Sequence, residues 1–220
     1  MNSKPSIIFD LDDTLIHSFQ IKQPNSFQIK VKKRKDDLIN EQILYIRVRK
    51  GTSTLIDWLS TKYNIFIFTS ASKEYADQII DHIAPFIPEE NRFYRDSIKY
   101  IKQTQNNYGC IYSHNNNKIT RKRGFKDLSI IKNRFNSIEL SRTLLIDNSK
   151  QSGIRNPSNT VVIKAWNGND DNDNILMDVL YPALFEIADE DNLPNSLRRH
   201  MLLNPSTSHG ISLISSRLEC

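Results

Sequence analysis

Short apolar runs recur along the chain, and three of them end directly in acidic or hydroxyl side chains. These three cover residues 7–9, 65–68 and 144–146, and a further run covers residues 161–163. Continuous apolar runs are typical of strands buried on both faces of a parallel sheet, whose carboxyl ends meet in a ligand crevice. Together with intervening helical patterns they predict an α/β fold with a Rossmann-like parallel sheet.

Apolar residues at helical spacing predict the helices that cover this sheet. One helix is expected over residues 52–63, with Trp58 and Tyr63 on its inward face, and a second over residues 76–83, stopped by Pro85. Further helices are expected after Asp127 and over residues 175–187, the latter interrupted or restarted at Pro182.

Two segments carry strand patterns that do not belong to the parallel sheet. Residues 27–32 and 43–49 alternate apolar and polar side chains, which predicts a basic β-hairpin arm within residues 20–50. Residues 86–124 have poor periodicity and predict a small β insertion, with short strands near residues 110–112 and 118–120. A single domain is therefore expected over residues 1–203, followed by a flexible polar tail over residues 204–220.

Composition narrows the class of protein. A chain of 220 residues that is 38% hydrophobic and 25% charged is long enough for one good globular core. Its two cysteines are too few for a disulfide framework and form no metal-ligand pair. No signal peptide or membrane span is apparent, so we expect a protein without a membrane partner, in the nucleus or cytoplasm.

The net charge of +5 favours acidic partners, and the basic residues fall in two clusters. The first consists of Lys30, Lys32, Lys33, Arg34 and Lys35 at the tip of the arm. The second consists of Lys118, Arg121, Lys122 and Arg123. Each cluster is either a solvated face or a surface that attracts an acidic partner, and the sequence leaves both interpretations open.

The strongest candidate for an active site follows the first apolar run. Carboxylates stand at Asp10, Asp12 and Asp13, where the chain leaves the predicted strand. Carboxylates at the end of a buried parallel strand lie where open α/β sheets bind their ligands, which makes this stretch a candidate active site. The hydroxyls at Thr69 and Ser70 precede a predicted helix, whose first amides can bind an anion.

The sequence Asp-Leu-Asp-Asp-Thr-Leu at residues 10–15 resembles the signature of the haloacid dehalogenase superfamily. Extended to residue 18, it resembles the branch of serine phosphatases that act on the C-terminal domain of RNA polymerase II. Residues 68–72, 123–129 and 147–149 resemble that branch's later motifs, in the same order. The chain departs from the pattern at Asp13, where the branch usually has Glu, and at Lys150, where it has Pro. It also has two fewer residues before Lys126. The resemblance covers about residues 5–195.

This resemblance implies a role for each matching residue. Asp10 would be the nucleophile, Asp12 the general acid and base, and Lys126 the cation that neutralises the phosphoryl group beside Thr69. Magnesium is the implied cofactor, because it favours oxygen ligands. The implied metal ligands are Asp10, the backbone carbonyl of Asp12, and Asn148, with Asp147 beside them. The expected substrate contacts are Phe19, Ser70 and Arg123.

Three functions remain open at this point. The first is a monomeric, magnesium-dependent phosphatase of phosphoserine and phosphothreonine proteins, with RNA polymerase II C-terminal repeats as a candidate substrate. The second is a phosphatase of a nucleic-acid end or a small metabolite, since one core serves many substrates. The basic clusters lack the interleaved aromatics of single-strand binders, which disfavours nucleic acid. The third is a non-catalytic binding subunit of the same fold.

Overall fold

The computed structural model of the protein describes residues 4–35, 38–104 and 120–214. In chain order the strands are β1 (Ser6–Phe9), β2 (Ile16–Phe19), β3 (Ser26–Lys35), β4 (Leu38–Val48), β5 (Asn64–Phe68), β6 (Arg92–Phe93), β7 (Lys99–Thr104), β8 (Thr120–Phe125), β9 (Thr143–Asp147), β10 (Thr160–Ile163) and β11 (Ile211–Leu213). The α-helices are α1 (Thr52–Ser60), α2 (Lys73–Ile83), α3 (Ser129–Arg134), α4 (Tyr181–Glu186) and α5 (Leu193–Leu203), and a π-helical stretch, Ile175–Leu180, leads into α4.

Six of the described strands form a central sheet in the order β11-β10-β9-β1-β5-β6. Its neighbours are parallel except for β10 and β11, which confirms the predicted α/β fold with a mostly parallel sheet. All of β1 is buried, with Ile7 and Phe9 in one apolar cluster and Ile8 in the cluster on the opposite face. Because β1 lies between β5 and β9, its carboxyl end delivers Asp10 to the middle of the sheet edge.

The alternating segments form the predicted hairpin. Strands β3 and β4 pair antiparallel, and β2 adds to β4 to make a second sheet in the order β2-β4-β3. Ile29 and Ile46 are buried on its inner face, while Lys30 and Lys32 are exposed. The side chains of residues 33–39, which include part of the basic tip, lie outside the described part of the structure.

Helix α1 is shorter than the predicted helix over residues 52–63. The hydroxyls of Ser60 and Thr61 donate to the carbonyls of Asp57 and Trp58, and these bonds compete with the helical ladder in its last turn. Tyr63 lies beyond the helix but is still buried. The expectation that Trp58 faces the core is wrong, because its side chain is 46% exposed.

The segment from residue 86 to 124 contributes to two sheets. Strand β6 pairs parallel to β5 at the edge of the central sheet, so this part of the expected insertion belongs to the main fold. Strands β7 and β8 form a separate antiparallel pair. The strand expected near residues 110–112 lies outside the described residues, and of the one expected near 118–120 only Thr120, the first residue of β8, is described.

The end of the described chain differs from the expected polar tail. Residues 205–208 form a short 3-10 helix, and β11 pairs antiparallel with β10. Ile211 is buried there, so an apolar side chain attaches the segment to the sheet edge. The boundary at residue 203 stays a prediction about domain organisation. None of the described helices is both long and apolar enough to cross a bilayer.

Candidate active site

Asp10 is fixed at the end of the central strand. Its backbone N–H donates to the carbonyl of Ile146 at 2.9 Å, which continues the pairing of β1 with β9 by one residue. Its side chain is buried, and one carboxylate oxygen accepts a hydrogen bond of 3.2 Å from the Thr14 hydroxyl. The nucleophile expected from the sequence is therefore held by both its backbone and its side chain.

The loop after β1 folds back so that a second carboxylate reaches the same place. The carbonyl of Leu11 accepts from the N–H groups of Leu15 and Ile16 at 2.9 and 3.1 Å. Asp13 adopts the left-handed conformation with φ of 58°, which Asp tolerates better than most residues. Its carbonyl accepts from the Trp166 N–H at 2.8 Å. This turn brings Asp12 to the cavity beside Asp10.

Lys126 bridges the acids of two neighbouring strands. Its ammonium donates to Asp10 at 2.5 Å and to Asp147 at 2.6 Å, and all three side chains are buried. Burial would lower the pKa of Lys126, but the two carboxylates outweigh it and raise that pKa. The backbone N–H of Lys126 donates to the Ser152 carbonyl at 2.8 Å, which fixes the base of the side chain.

The pKa values of Asp10 and Asp12 in the first motif are higher than those of free aspartates. Burial raises the pKa of Asp10 to about 7, opposed by Lys126 and assisted by Asp147. Burial also raises the pKa of Asp12, and a 2.5 Å hydrogen bond from the Tyr75 hydroxyl opposes that shift. A raised pKa suits Asp12 to proton transfer. For Asp10, a nearby cation would favour the ionised form.

A cavity of about 430 Å³ opens over these side chains. Its lining includes six of the acidic, basic and polar residues that the sequence singles out: Asp10, Asp12, Ser70, Lys126, Asp147 and Asn148. Further lining residues come from the β7–β8 pair and the loop after β9: Ile98, Tyr100, Gly124, Phe125, Ser149, Gln151 and Ser152. Asp13 completes the set. Residues far apart in the chain thus share one polar cavity.

Three of the expected site residues do not line this cavity. Thr69 is fully buried, and its hydroxyl oxygen accepts from the Ala71 N–H at 3.0 Å, so it shapes the turn that presents Ser70. Phe19 packs edge-on against His17 with ring centres 4.7 Å apart, close to Gly168. Arg123 is exposed on β8. Their roles as substrate or phosphoryl contacts stay predictions.

Several residues of the site were not expected from the sequence. Tyr75 contacts Asp12 from α2, and Tyr100 lies opposite Gly124 across the β7–β8 pair. Gln151 and Ser152 follow the Asp-Asn-Ser motif within four residues. That proximity is the available signal for the last two, whereas nothing local in the sequence places Tyr75 or Tyr100 near Asp10.

The donor set of the cavity fits a hard cation. Asp10, Asp147 and Asn148 present oxygen atoms, and the described residues that line the cavity include no Cys or His. Magnesium is commonly held by one or two carboxylates together with waters and substrate phosphate. Among the described residues no cluster of three or more Asp, Glu, His or Cys forms a metal cage. The oxygen atoms of Asp10, Asp147 and Asn148 therefore fit magnesium, which needs few protein ligands.

Comparison with known proteins places this site in context. A model of the NLI interacting factor-like phosphatase family matches residues 5–194. Nuclear envelope morphology protein 1 of Saccharomyces cerevisiae is 30% identical over 179 residues, which cover 74% of this chain and 35% of that protein. The human CTD small phosphatase-like protein is 26% identical over 196 residues, which cover 89% of this chain and 60% of that protein. The chain thus spans between a third and two thirds of the length of these relatives.

Solved structures show the same fold. A structure of Fcp1, described as an essential RNA polymerase II CTD phosphatase, aligns with a TM-score of 0.55 over 97% of this chain and 58% of that one. A beryllium fluoride complex of the fission yeast protein aligns with a TM-score of 0.51 over the same fractions. Both are 19% identical to this chain, so they show similarity of fold.

Proposed function

The chain belongs to the NLI interacting factor-like phosphatase family, and we propose that it is a magnesium-dependent protein serine/threonine phosphatase in which Asp10 becomes phosphorylated. This membership confirms the resemblance to the serine phosphatases of the haloacid dehalogenase superfamily that is visible in the four motifs. The proposal rests mainly on one observation. The Lys126 ammonium lies 2.5 Å from a carboxylate oxygen of Asp10 and 2.6 Å from one of Asp147, and all three residues line one cavity.

In the first step a carboxylate oxygen of Asp10 attacks the phosphorus of a phosphoserine. The bond from phosphorus to the serine oxygen breaks, and that oxygen takes the proton of Asp12. In the second step Asp12 removes a proton from water, the water oxygen attacks phosphorus, and the bond to Asp10 breaks. The raised pKa of Asp12 suits it to begin protonated, and its place in the same cavity suits it to reach both oxygens.

Charge compensation is the main requirement of phosphoryl transfer. The Lys126 ammonium, buried beside Asp10, would offset the charge of the phosphoryl oxygens. Asp10, the carbonyl of Asp12, and Asn148 would hold magnesium, with Asp147 beside them. When bound, the metal would supply a second positive charge next to the phosphoryl group.

The chemical step can be tested by trapping. Asp12→Asn should slow hydrolysis of the intermediate, so phosphorylated Asp10 should accumulate after mixing with an aryl phosphate and Mg²⁺. Borohydride reduces an acyl phosphate to an alcohol, so mass spectrometry should find homoserine at position 10. Asp10→Asn in the same background is the matched control and should show no such product. A reduction product at another residue would contradict the assignment of Asp10 as the nucleophile.

The metal requirement has its own measurement. We expect chelation to abolish hydrolysis of an aryl phosphate and added Mg²⁺ to restore it. Asn148→Ala should raise the Mg²⁺ concentration needed for half-maximal rate, because it removes an oxygen ligand. Asn172→Ala, on an exposed loop, is the matched control. Full turnover in excess chelator would remove magnesium from the proposal.

We propose phosphoproteins as the substrate class, with RNA polymerase II C-terminal repeats as the first candidate. Support comes from the relatives, one of which is a carboxy-terminal domain RNA polymerase II polypeptide A small phosphatase from human. Phosphoserine repeat peptides should have a higher kcat/KM than 5′- or 3′-phosphorylated oligonucleotides or a sugar phosphate. A preference for either of the latter would favour the alternative classes. The monomeric state and the nuclear or cytoplasmic location stay predictions.

A further inference from the structure

We propose that Tyr75 is a positioning residue for Asp12, holding one carboxyl oxygen so that the other oxygen faces the leaving group of the substrate. This inference rests on the proposed phosphatase function. Its basis is a hydrogen bond of 2.5 Å from the Tyr75 hydroxyl to Oδ1 of Asp12, made across 63 residues of sequence. Asp12 lines the cavity and Tyr75 is not part of that lining, so Tyr75 reaches the site through Asp12.

The position of the Tyr75 hydroxyl is set by the packing of α2. Tyr75 packs against the main apolar core, and the next residue, Ala76, is fully buried together with Ile79 on the same helix. A tyrosine ring has only two side-chain torsions, so an anchored helix leaves its hydroxyl little freedom. The packing of α2 therefore fixes the hydroxyl beside Asp12.

This hydrogen bond distinguishes the two oxygens of the Asp12 carboxyl group. In a protonated carboxyl group the carbonyl oxygen is the better acceptor, so a donor on Oδ1 favours the proton on Oδ2. The proton is then carried by the oxygen that Tyr75 does not hold. In the second step the same arrangement leaves Oδ2 as the base for water. Loss of the hydroxyl would free the carboxyl group to rotate and would weaken proton transfer without removing the proton donor.

The predicted signature is a dependence on the leaving group. A serine alkoxide is a poor leaving group and needs the proton from Asp12, whereas a nitrophenolate leaves readily without it. Tyr75→Phe should therefore lower kcat/KM for a phosphoserine peptide far more than for nitrophenyl phosphate. A purely structural role of Tyr75 would lower both by the same factor, because damage to the fold does not depend on the leaving group.

The chain offers a matched control on the same helix. The Tyr94 hydroxyl donates to Oδ1 of Asp77 at 2.5 Å, and neither residue lines the cavity. Asp77 lies on α2 two residues after Tyr75. Tyr94→Phe therefore removes a tyrosine–aspartate hydrogen bond of the same length on α2 without touching Asp12. The two variants separate the loss of a hydrogen bond from the loss of proton-transfer geometry.

The experiment measures kcat/KM for the parent, Tyr75→Phe and Tyr94→Phe at saturating Mg²⁺, on a phosphoserine peptide and a series of aryl phosphates. For Tyr75→Phe we expect a loss of about 10- to 100-fold on the peptide and under about 3-fold on nitrophenyl phosphate, since general acid catalysis contributes 10²–10⁴-fold in full. Tyr94→Phe should change kcat/KM by the same factor for every substrate in the series. Thermal unfolding should show that all three proteins are folded.

The outcomes separate this inference from the proposed function. Equal losses of Tyr75→Phe on all substrates, or no loss on the peptide, would overturn the positioning role while leaving the phosphatase assignment intact. A leaving-group dependence in Tyr94→Phe equal to that in Tyr75→Phe would overturn it as well. A parent without magnesium-dependent turnover on any of the esters would overturn the proposed function and this inference together.

Discussion

The ammonium nitrogen of Lys126 lies 2.5 Å from a carboxylate oxygen of Asp10, although the two residues are 116 positions apart in the chain. Both side chains are buried, and the centre of the Phe68 ring lies 5.9 Å from the same nitrogen. Burial of this kind makes each charge depend on the other, because an unpaired ion in an apolar setting is costly. Under the proposed mechanism, catalysis and stability are therefore coupled at this pair.

Replacing Lys126 by Met tests this coupling, because the change preserves length and removes the charge. Turnover of an aryl phosphate should fall by about 10²–10³-fold, as for loss of one group that stabilises an oxyanion. The free energy of unfolding near neutral pH should fall by about 3–5 kcal/mol, because two buried acids lose their partner.

The control for Lys126→Met is Lys99→Met. Lys99 is half-exposed and pairs with Asp127 at 2.7 Å, so its loss should cost at most about 1 kcal/mol. Denaturant unfolding and steady-state rates measure both effects. A Lys126 variant with the stability and rate of the parent would indicate a solvated lysine in solution and contradict the buried pair.

The raised pKa of Asp10 predicts a pH-dependent stability. The pKa is about 7 in the folded protein and 3.8 in the reference state, so the folded state retains a proton that the unfolded state releases between these values. The contribution of Asp10 to stability is present below about pH 4 and is lost as pH rises to about 7.

Asp10→Asn removes this loss. In chelator, the free energy of unfolding of the variant should rise relative to that of the parent by on the order of 2–4 kcal/mol between pH 4 and pH 8. This follows from about 1.36 kcal/mol per pKa unit. Denaturant unfolding at several pH values measures the difference. A stability difference between the two proteins that stays constant with pH would show that Asp10 titrates normally. Asp10→Asn should also eliminate turnover, since it removes the proposed nucleophile.

A second buried ion pair supports the loop of the first motif. Arg49 donates to both carboxylate oxygens of Asp173 at 2.8 Å and to the carbonyl of Thr14 at 3.0 Å, and Thr14 in turn bonds Asp10. Arg49→Met should lower the free energy of unfolding by about 3–5 kcal/mol and reduce turnover as well.

Arg49→Met with Asp173→Leu provides the control for that prediction. Because the double variant leaves no unpaired buried charge, it should recover part of the stability lost in either single variant. Additive losses in the double-mutant cycle would contradict a direct, buried interaction between the two side chains.

The basic arm predicts salt-dependent recognition of acidic peptides. Lys30 and Lys32 are exposed on β3, and exposed charges are screened over about 8 Å at physiological ionic strength. Catalytic efficiency on a phosphoserine peptide with further acidic residues should fall as salt rises, and should fall much less for a small aryl phosphate. Lys30→Gln with Lys32→Gln should flatten the peptide's salt dependence.

Lys4→Gln with Lys132→Gln is the matched control, because both are exposed lysines outside the arm and outside the second basic cluster. This double variant should keep the salt dependence of the parent. If the arm variant also behaves like the parent on both substrates, the arm is a solvated face that plays no part in substrate attraction.

The amino-acid sequence by itself determined the order of the main elements and the chemistry at the strand ends. Apolar runs without alternation predict buried parallel strands, and β1, β5, β9 and β10 appear where those runs occur. Asp10, Asp12 and Asp147 follow from the same logic, since parallel strands bring their carboxyl ends to one edge. These features are local, or follow from a general property of parallel sheets, and can therefore be seen in one sequence.

Contacts between distant residues were decided only by the tertiary structure. A surface lysine and the buried Lys126 have the same sequence pattern, and only the approach of Asp10 and Asp147 makes burial of the ammonium possible. Likewise the Tyr75–Asp12 hydrogen bond depends on how α2 packs against the loop after β1. Local periodicity indicates which face of an element is apolar, but not which partner covers it. Packing over long sequence separations supplies that partner, and with it the contacts of Lys126 and Tyr75 on which the proposed mechanism depends.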